Sequence, residues 1–325
     1  MNCKKCIALI LLSTFYILSA GNFSVAQTDQ QKQQQLKEEQ SNDSSILVSP
    51  AWLERKLKSD EDLVLIDLPF RKTTYKLGHI PGAVMLDWRT DIIDAEQINL
   101  YRLPQQADME KLLSKIGVKN DSTIVLTDDM ANRGSVRMYY TLKYFGHKKV
   151  HILNGGTPVW KSTKRTLTPD VPEIETSNYV IKSTQDGFFV QLEAVQKAIG
   201  DNDSQLIDGR PNVQFTGEKP GKVFHTNQAH KRLGHIPSAK NVPWQENLNK
   251  NGTFKSIDEL RQLYESHGID TGGDVVAYCN EGLHAAMPWF IFRELFGNED
   301  IRLYDDSMAE WANRDDTPMN KGDGS

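Results

Sequence analysis

Short apolar runs rich in β-branched residues alternate with amphipathic stretches between residues 46 and 318. The run 275–278 has the length and composition of a buried strand. Residues 109–116 and 257–267, in contrast, carry apolar side chains at helical spacing. Alternation of this kind is typical of α/β domains that contain a mainly parallel sheet. We therefore predict an α/β fold in which parallel sheets are flanked by helices.

The pattern occurs twice along the chain. Three pairs of similar segments follow each other in the same order: 65–67 and 206–208, 78–81 and 234–237, and 124–128 and 275–279. Their spacings are unequal but ordered, as expected for two copies of one domain that differ by loop insertions, notably around residues 215–232. Each copy is long enough for a core of its own, so the repeat indicates a tandem duplication rather than a solenoid.

The duplication sets the expected domain boundaries. Pro169, Pro172 and several acidic residues lie between the two copies and are typical of an extended linker. The expected order is domain 1 at 46–165, the linker at 166–180, domain 2 at 181–318 and a flexible tail at 319–325.

The first 45 residues predict export. Lys4 and Lys5 precede a short apolar run, and a small-x-small site at 24–26 completes the pattern of a secretory signal peptide, residues 1–26. The apolar run is too short to span a bilayer comfortably. Residues 27–45 are polar and predict a disordered leader. We expect a periplasmic or secreted protein without a membrane span after cleavage.

Charge and cysteine content narrow the chemistry. The formal net charge is −5 and no basic run occurs, which argues against nucleic acid as a partner. Cys3 and Cys6 lie in the predicted signal peptide, so Cys279 has no intramolecular disulfide partner in the mature chain. A lone thiol in an oxidising compartment suggests reactivity, although a buried, inert cysteine is the alternative.

Cys279 lies between the strand 275–278 and a predicted helix at 285–296. Free N–H groups at a helix start stabilise an anion, and Gly282 allows the loop to turn such groups inward. Lowering a thiol pKa from about 8.5 to roughly 6.5 requires only about 2.7 kcal/mol. Ligands of parallel sheets bind at the carboxyl ends of strands. Cys279 is therefore a candidate nucleophile.

Four motifs in order, with a cysteine at the expected place, resemble the rhodanese family of two-domain thiosulfate/3-mercaptopyruvate sulfurtransferases. The motifs lie at 75–83, 153–160, 234–239 and, more loosely, 303–311. The resemblance implies that domain 2 is catalytic and that domain 1 is silent, since Asp128 stands where domain 2 has Cys279. A carboxylate cannot carry sulfane sulfur.

The resemblance also implies a mechanism. Cys279 takes sulfur from thiosulfate or 3-mercaptopyruvate as a persulfide and passes it to cyanide, a thiol or a protein acceptor, with no cofactor and no metal. The implied substrate-binding residues are Arg210, Asn280, Glu281, Gly282, Leu283, His284 and Ala285. Arg137 matches a recurring family arginine and is expected, with Arg133, to face the cleft from domain 1.

Some residues depart from the family pattern and leave their roles open. Asn280 and Glu281 replace basic residues of thiosulfate-preferring members, and we expect Glu281 to face solvent because it would repel a dianion. His284 either supplies a tunable proton or charge, or it is an exposed or helix-capping residue. Arg210 either binds the donor or forms a salt bridge with Asp208.

Other functions fit the sequence less well. A cysteine phosphatase needs an arginine six residues after the cysteine, where this chain has Ala285. A zinc site would rest on Cys279 and His284 alone, and a cation site on Asp128 and Asp129 lacks a third ligand. A non-enzymatic sulfur carrier or binding module remains an alternative, because it needs the same cysteine.

Overall fold

The computed structural model describes residues 45–97, 100–200, 203–224 and 226–323. The predicted signal peptide, and all but the last residue of the predicted leader, lie outside these ranges. Within these ranges, every helix is too short or too polar to span a bilayer.

The first domain places strands and helices in turn along the chain. Its strands are β1 (Leu47–Val48), β2 (Leu63–Asp67), β3 (Val84–Met85), β4 (Thr123–Thr127) and β5 (Val150–Leu153). Its helices are α1 (Pro50–Ser59), α2 (Lys72–Leu77), α3 (Gln106–Lys115), α4 (Arg133–Tyr144) and α5 (Gly156–Ser162), with a 3-10 turn at Ala95–Gln97.

The second domain repeats this order. Its strands are β6 (Phe189–Val190), β7 (Ser204–Asp208), β8 (Lys240–Asn241), β9 (Asp274–Tyr278) and β10 (Ile301–Tyr304). Its helices are α6 (Leu192–Ala198), α7 (Asn212–Phe215), α8 (Ile257–Ser266), α9 (Ala286–Phe290) and α10 (Ser307–Trp311), with a 3-10 turn at Trp244–Asn247 and a π-helical extension of α9 at Ile291–Phe296.

Both sheets are parallel and have the same topology. The strand orders are β1-β5-β4-β2-β3 and β6-β10-β9-β7-β8, and every pairing within them is parallel. Central strands β4 and β9 are buried for most of their length, which explains their continuous apolar runs. The predictions of an α/β fold and of a tandem duplication are confirmed.

Local sequence accounts for several helix boundaries. Ser49 caps α1 by accepting a hydrogen bond from the Trp52 amide at 3.2 Å, and Pro50 occupies the first helical position. At α8, Ser256 and Glu259 form a reciprocal capping box. These contacts satisfy N–H groups that a helix start otherwise leaves without partners.

The two domains share one apolar core. Tyr139 of α4 meets Phe290 of α9 edge-on with ring centroids 5.1 Å apart, and Tyr140 meets Trp289 at 4.8 Å. All four side chains belong to one buried cluster that spans both sheets. The packing of α4 against α9 holds the loop that precedes each helix close to the domain boundary.

Candidate active site

Cys279 follows β9 directly and begins the loop that leads into α9. Its amide donates to the Ser307 hydroxyl at 3.0 Å, and its carbonyl accepts from the Met308 amide at 3.1 Å. The Gly282 amide donates to the Cys279 sulfur at 3.2 Å. The loop therefore curls around its own thiol and is fixed from behind by the start of α10.

The electrostatics of this thiol differ from the prediction. Cys279 is only 1% exposed, and this burial raises the pKa of its thiol above the ordinary value. Backbone amides of Glu281, His284 and Ala285 lower that pKa, while the Glu281 carboxylate raises it further. The expectation of a lowered pKa is wrong for this conformation, because desolvation outweighs the converging amides.

Gly282 is the residue that allows the loop to close. Its φ of +86° is in the left-handed region, and an added Cβ would lie 2.2 Å from Oδ1 of Asp305. No larger side chain fits between the thiol and the second domain's own Asp305. The predicted role of Gly282 in turning an N–H group toward the sulfur agrees with this geometry.

Glu281 is buried, contrary to the expectation that it faces solvent. It is 1% exposed, and its Oε2 accepts a hydrogen bond from the Phe224 amide at 2.9 Å. Phe224 belongs to the insertion predicted around residues 215–232, which folds back over residues 279–285, the candidate catalytic loop. His225 of this insertion lies outside the described residues.

Asn280 is tied to the same insertion. Its Oδ1 lies 3.2 Å from Nε2 of His230, and its Nδ2 donates to Gln214 at 3.0 Å. Burial lowers the pKa of His230 to about 4, so this imidazole is neutral and donates to the amide oxygen. Asn280 therefore anchors the loop instead of presenting its side chain to a substrate.

The side chain of His284 contacts the first domain. Its ring stacks on Trp244 with centroids 5.4 Å apart, and its Nε2 lies 3.2 Å from Nη1 of Arg133. Burial, together with the Arg133 charge, lowers the pKa of His284 to about 3. The imidazole is therefore neutral and accepts from the guanidinium, and it supplies neither a positive charge nor a proton near neutral pH.

Leu283 and Ala285 contribute apolar surface. Both side chains are buried in the core cluster that contains Cys279. Only their backbone groups remain as candidate contacts for a substrate. The amide of Ala285 already points to the site, because its hydrogen bond lowers the pKa of the Cys279 thiol.

Arg210 forms the salt bridge that was the alternative to donor binding. Its Nη2 and Nε donate to the Asp208 carboxylate at 2.6 and 3.0 Å, and Nη2 also donates to the Gly234 carbonyl. Burial lowers the pKa of Arg210, but the charge and hydrogen bonds of Asp208 outweigh burial and raise it, and a thiolate at Cys279 adds a weaker effect in the same direction. Cys279 therefore lies in the neighbourhood of this guanidinium. In this conformation the guanidinium is largely occupied by Asp208.

Arg137 does not line an open cleft. It is completely buried and donates through Nη1 and Nη2 to Asp305 of the second domain, at 2.5 and 3.0 Å. Nη2 also donates to the Tyr101 carbonyl at 2.9 Å. Arg137 therefore connects the domains beneath the catalytic loop.

The equivalent loop of the first domain binds its own carboxylate. Asp128 accepts hydrogen bonds from the amides of Met130, Asn132 and Ser135 at 2.8 to 3.0 Å. Asp129 accepts from the Phe70 amide. In the described ranges no group of three or more candidate ligands is placed to bind a metal ion.

The two histidines of the repeated Gly-His-Ile-Pro segments have structural contacts. His79 stacks on Tyr75 with centroids 3.6 Å apart and lies 2.9 Å from the Tyr75 carbonyl. His235 stacks on Phe215 in the same way and lies 2.9 Å from the Phe215 carbonyl. These contacts give both histidines a structural role.

Sequence reasoning missed the residues that cover and support the loop. Phe224, His230 and Trp244 gave no local signal, because their contacts join segments far apart along the chain. Asp305 and Ser307 lie within the loosely matching motif 303–311, so that motif contained a signal that was not used.

A cavity lies elsewhere between the domains. It has a volume of about 480 Å³, and Arg102, Asp305 and Asp306 are among its lining residues. Cys279 is not among them. This cavity therefore reaches Asp305, the partner of Arg137, and is not lined by the thiol.

Comparison with known proteins gives one family. The sequence profile described as "Rhodanese-like domain" matches residues 49–163 and 191–314. A Haloferax volcanii protein named "Putative thiosulfate sulfurtransferase" is 34% identical over 283 residues, covering 85% of this chain and 96% of that protein. A Thermus thermophilus protein named "Sulfur carrier protein TtuD" is 33% identical over 289 residues, covering 86% and 97%.

Solved structures show the same fold at lower identity. The crystal structure of the anaerobic ergothioneine biosynthesis enzyme from Chlorobium limicola matches with a TM-score of 0.75 and 21% identity. The match covers 85% of this chain and 70% of that one. At this identity the likeness concerns the fold alone.

Proposed function

The chain belongs to the rhodanese family, and from that premise we propose that it is a sulfurtransferase that carries sulfur as a persulfide on Cys279. The observation that carries this proposal is the position of the thiol at the carboxyl end of β9, with the Gly282 amide donating to its sulfur. Relatives with the name "Putative thiosulfate sulfurtransferase" cover most of this chain, which supports the same activity.

The proposed first half-reaction takes sulfur from thiosulfate or 3-mercaptopyruvate. The Cys279 thiolate attacks the outer sulfur of thiosulfate, the S–S bond of the donor breaks, and sulfite leaves with the bonding electron pair. With 3-mercaptopyruvate the C–S bond breaks, and the pyruvate enolate that leaves takes up a proton. Either donor leaves one additional sulfur on Cys279.

The proposed second half-reaction discharges the persulfide. Cyanide or a thiol attacks the outer sulfur of the persulfide and forms a bond to it. The S–S bond between that sulfur and Cys279 breaks, and the Cys279 thiolate is restored. Backbone N–H groups of the loop are placed to stabilise the negative charge that develops on sulfur in both steps. The close cover over Cys279 shields the persulfide from water and from unspecific thiols between the steps.

A sulfur carrier is the second candidate, because a relative of similar identity has the name "Sulfur carrier protein TtuD". A carrier forms the same persulfide but passes its sulfur on to a protein partner and does not turn over with small acceptors. Turnover with small acceptors separates the two candidates.

Export remains part of the proposal. Residues 1–26 have the pattern of a signal peptide, and we propose that the mature protein acts in the periplasm or outside the cell. The mass of the protein recovered from each cell fraction tests this: a species that lacks residues 1–26 outside the cytoplasm is expected.

Intact mass before and after thiosulfate tests the persulfide. We expect a gain of roughly 32 Da, one sulfur atom, that cyanide removes, and no gain in the matched Cys279→Ser variant. Thiocyanate formed in many-fold excess over the protein would support a catalyst, and a single stoichiometric release would support a carrier. No gain with thiosulfate or 3-mercaptopyruvate would contradict the proposal.

A further inference from the structure

Most arginines near the catalytic loop are bound to carboxylates. Arg210 pairs with Asp208, and Arg137 pairs with Asp305, each through two nitrogen atoms. Arg102 pairs in the same way with Asp306. A guanidinium whose planar fork already holds a carboxylate has little capacity left for a second anion.

Arg133 is different. In the structure described here it forms no ion pair, and its hydrogen bonds go to neutral groups, the Met130 carbonyl at 2.8 Å and the His284 ring at 3.2 Å. Its guanidinium lies over the Trp244 ring at 4.5 Å, and the side chain is half-buried. Burial lowers the pKa of Arg133, and the nearby charges of Asp128 and Asp129, which form no direct ion pair with it, offset this effect only in part.

The position of Arg133 connects it to the reacting sulfur. It belongs to the first turn of α4 in the silent domain, yet its Nη1 contacts the side chain of His284. The backbone amide of His284 acts directly on the Cys279 thiol. Arg133 therefore presents a cation from the first domain to the loop of the second, where Asn280 and Glu281 supply none.

We propose that Arg133 binds the anionic group of the sulfur donor and so makes this site selective for negatively charged donors. This inference rests on the proposed sulfurtransferase function and adds a specificity residue from the domain that lacks a nucleophile. The exposed part of its guanidinium binds a carboxylate or sulfonate oxygen, while Trp244 and His284 hold its plane. The sulfur to be transferred then lies toward Cys279.

Steady-state kinetics of Arg133→Gln test the inference, with cyanide as acceptor. We expect the KM for thiosulfate to rise about tenfold or more, with kcat at saturating donor changed little, because a charge-assisted contact is lost from binding. The KM for 3-mercaptopyruvate, which carries one negative charge, should rise less. Arg133→Lys keeps the charge and should recover part of the affinity.

Arg261→Gln is the matched control. Arg261 is also a partly buried arginine that lies over an aromatic ring, Phe296 at 4.4 Å, and donates to neutral oxygens of Thr271 and Phe296. The KM values of Arg261→Gln for both donors should stay within about twofold of the wild-type values. An equal rise in both variants would overturn the inference, since it would reflect a general effect of removing a stacked arginine.

The experiment separates this inference from the function on which it rests. If the wild type gains sulfur and Arg133→Gln has unchanged KM values, the inference is wrong and the sulfurtransferase proposal stands. If the wild type gains no sulfur from either donor, both are wrong. If Arg133→Gln folds poorly, the KM of the wild type for thiosulfate is measured at increasing ionic strength instead. We expect this KM to rise because salt screens the contact with Arg133, and a constant KM would overturn the inference.

Discussion

Arg137 of the first domain and Asp305 of the second form a bidentate ion pair beneath the catalytic loop. The two contacts measure 2.5 and 3.0 Å, and Arg137 is completely buried. Gly282 packs against the same Asp305 carboxylate. The geometry of the catalytic loop therefore depends on a contact that neither domain can make alone.

Removal of one partner of this pair should destabilise the protein strongly. We expect Asp305→Leu to lower the free energy of unfolding in urea by about 3–5 kcal/mol, because Arg137 is left charged in an apolar environment. The double variant Arg137→Met with Asp305→Leu should lose less than Asp305→Leu alone. Arg314→Met is the control, because its partner Asp316 is exposed and exposed pairs contribute little to stability. A loss from Asp305→Leu no larger than that of the control would contradict this account.

Gly282→Ala should slow the formation of the Cys279 persulfide, whereas the same substitution at a glycine far from Cys279 should not. Alanine at a positive φ costs about 1 kcal/mol at any site, but at residue 282 its Cβ also collides with Asp305. The displaced amide would no longer donate to the Cys279 sulfur. Gly82→Ala is the matched control, since Gly82 has a φ of +81° and open space around its Cβ. Equal rates of persulfide formation in the two variants would argue against a role for the loop amide.

The reactivity of Cys279 toward iodoacetamide should rise with pH without a plateau near neutrality. Burial raises the pKa of the thiol above its ordinary value, so the thiolate fraction is small at pH 7 and increases through alkaline pH. Alkylation of the peptide that contains Cys279, followed by mass spectrometry between pH 6 and pH 10, measures this. The urea-unfolded chain provides the reference titration. A plateau near pH 6.5 in the folded protein would restore the original expectation of a stabilised thiolate.

Asp67 should make stability depend on pH. It is the first-domain counterpart of Asp208, but Pro69 stands where the second domain has Arg210. Burial, and then the charges of Asp128 and Asp129, raise the pKa of Asp67 well above its usual range. The folded state therefore holds a proton that the unfolded chain releases, so this group's contribution to stability is present below about pH 4 and is lost as pH rises through the folded pKa.

Asp67→Asn should remove the loss of stability that the wild type shows as pH rises. The variant should exceed the wild type in free energy of unfolding at pH 7 by about 1.4 kcal/mol for each unit by which the folded pKa is raised, and the gain should vanish near pH 4. Urea unfolding at several pH values measures the difference. Asp186→Asn, at an exposed position, should show no such trend. A gain that persists unchanged at pH 4 would indicate a packing effect instead of a proton-linked one.

The sequence by itself determined the architecture and the position of the nucleophile. Strand and helix periods, the repeated segments and the turn after each central strand depend on neighbouring residues, so they can be recognised locally. The replacement of Cys279 by Asp128 in the first copy follows from the same alignment of segments. These features need no knowledge of what packs against them.

Tertiary structure decided the electrostatics of the site. Glu281 is buried because Phe224 supplies an amide from an insertion 57 residues away, and Arg210 and Arg137 are occupied by carboxylates. The pKa of a thiol or imidazole depends on the water that is excluded and on the charges that surround it in space. A linear pattern places a charged residue in a loop, but only the packing of distant segments determines whether that charge is free, paired or buried.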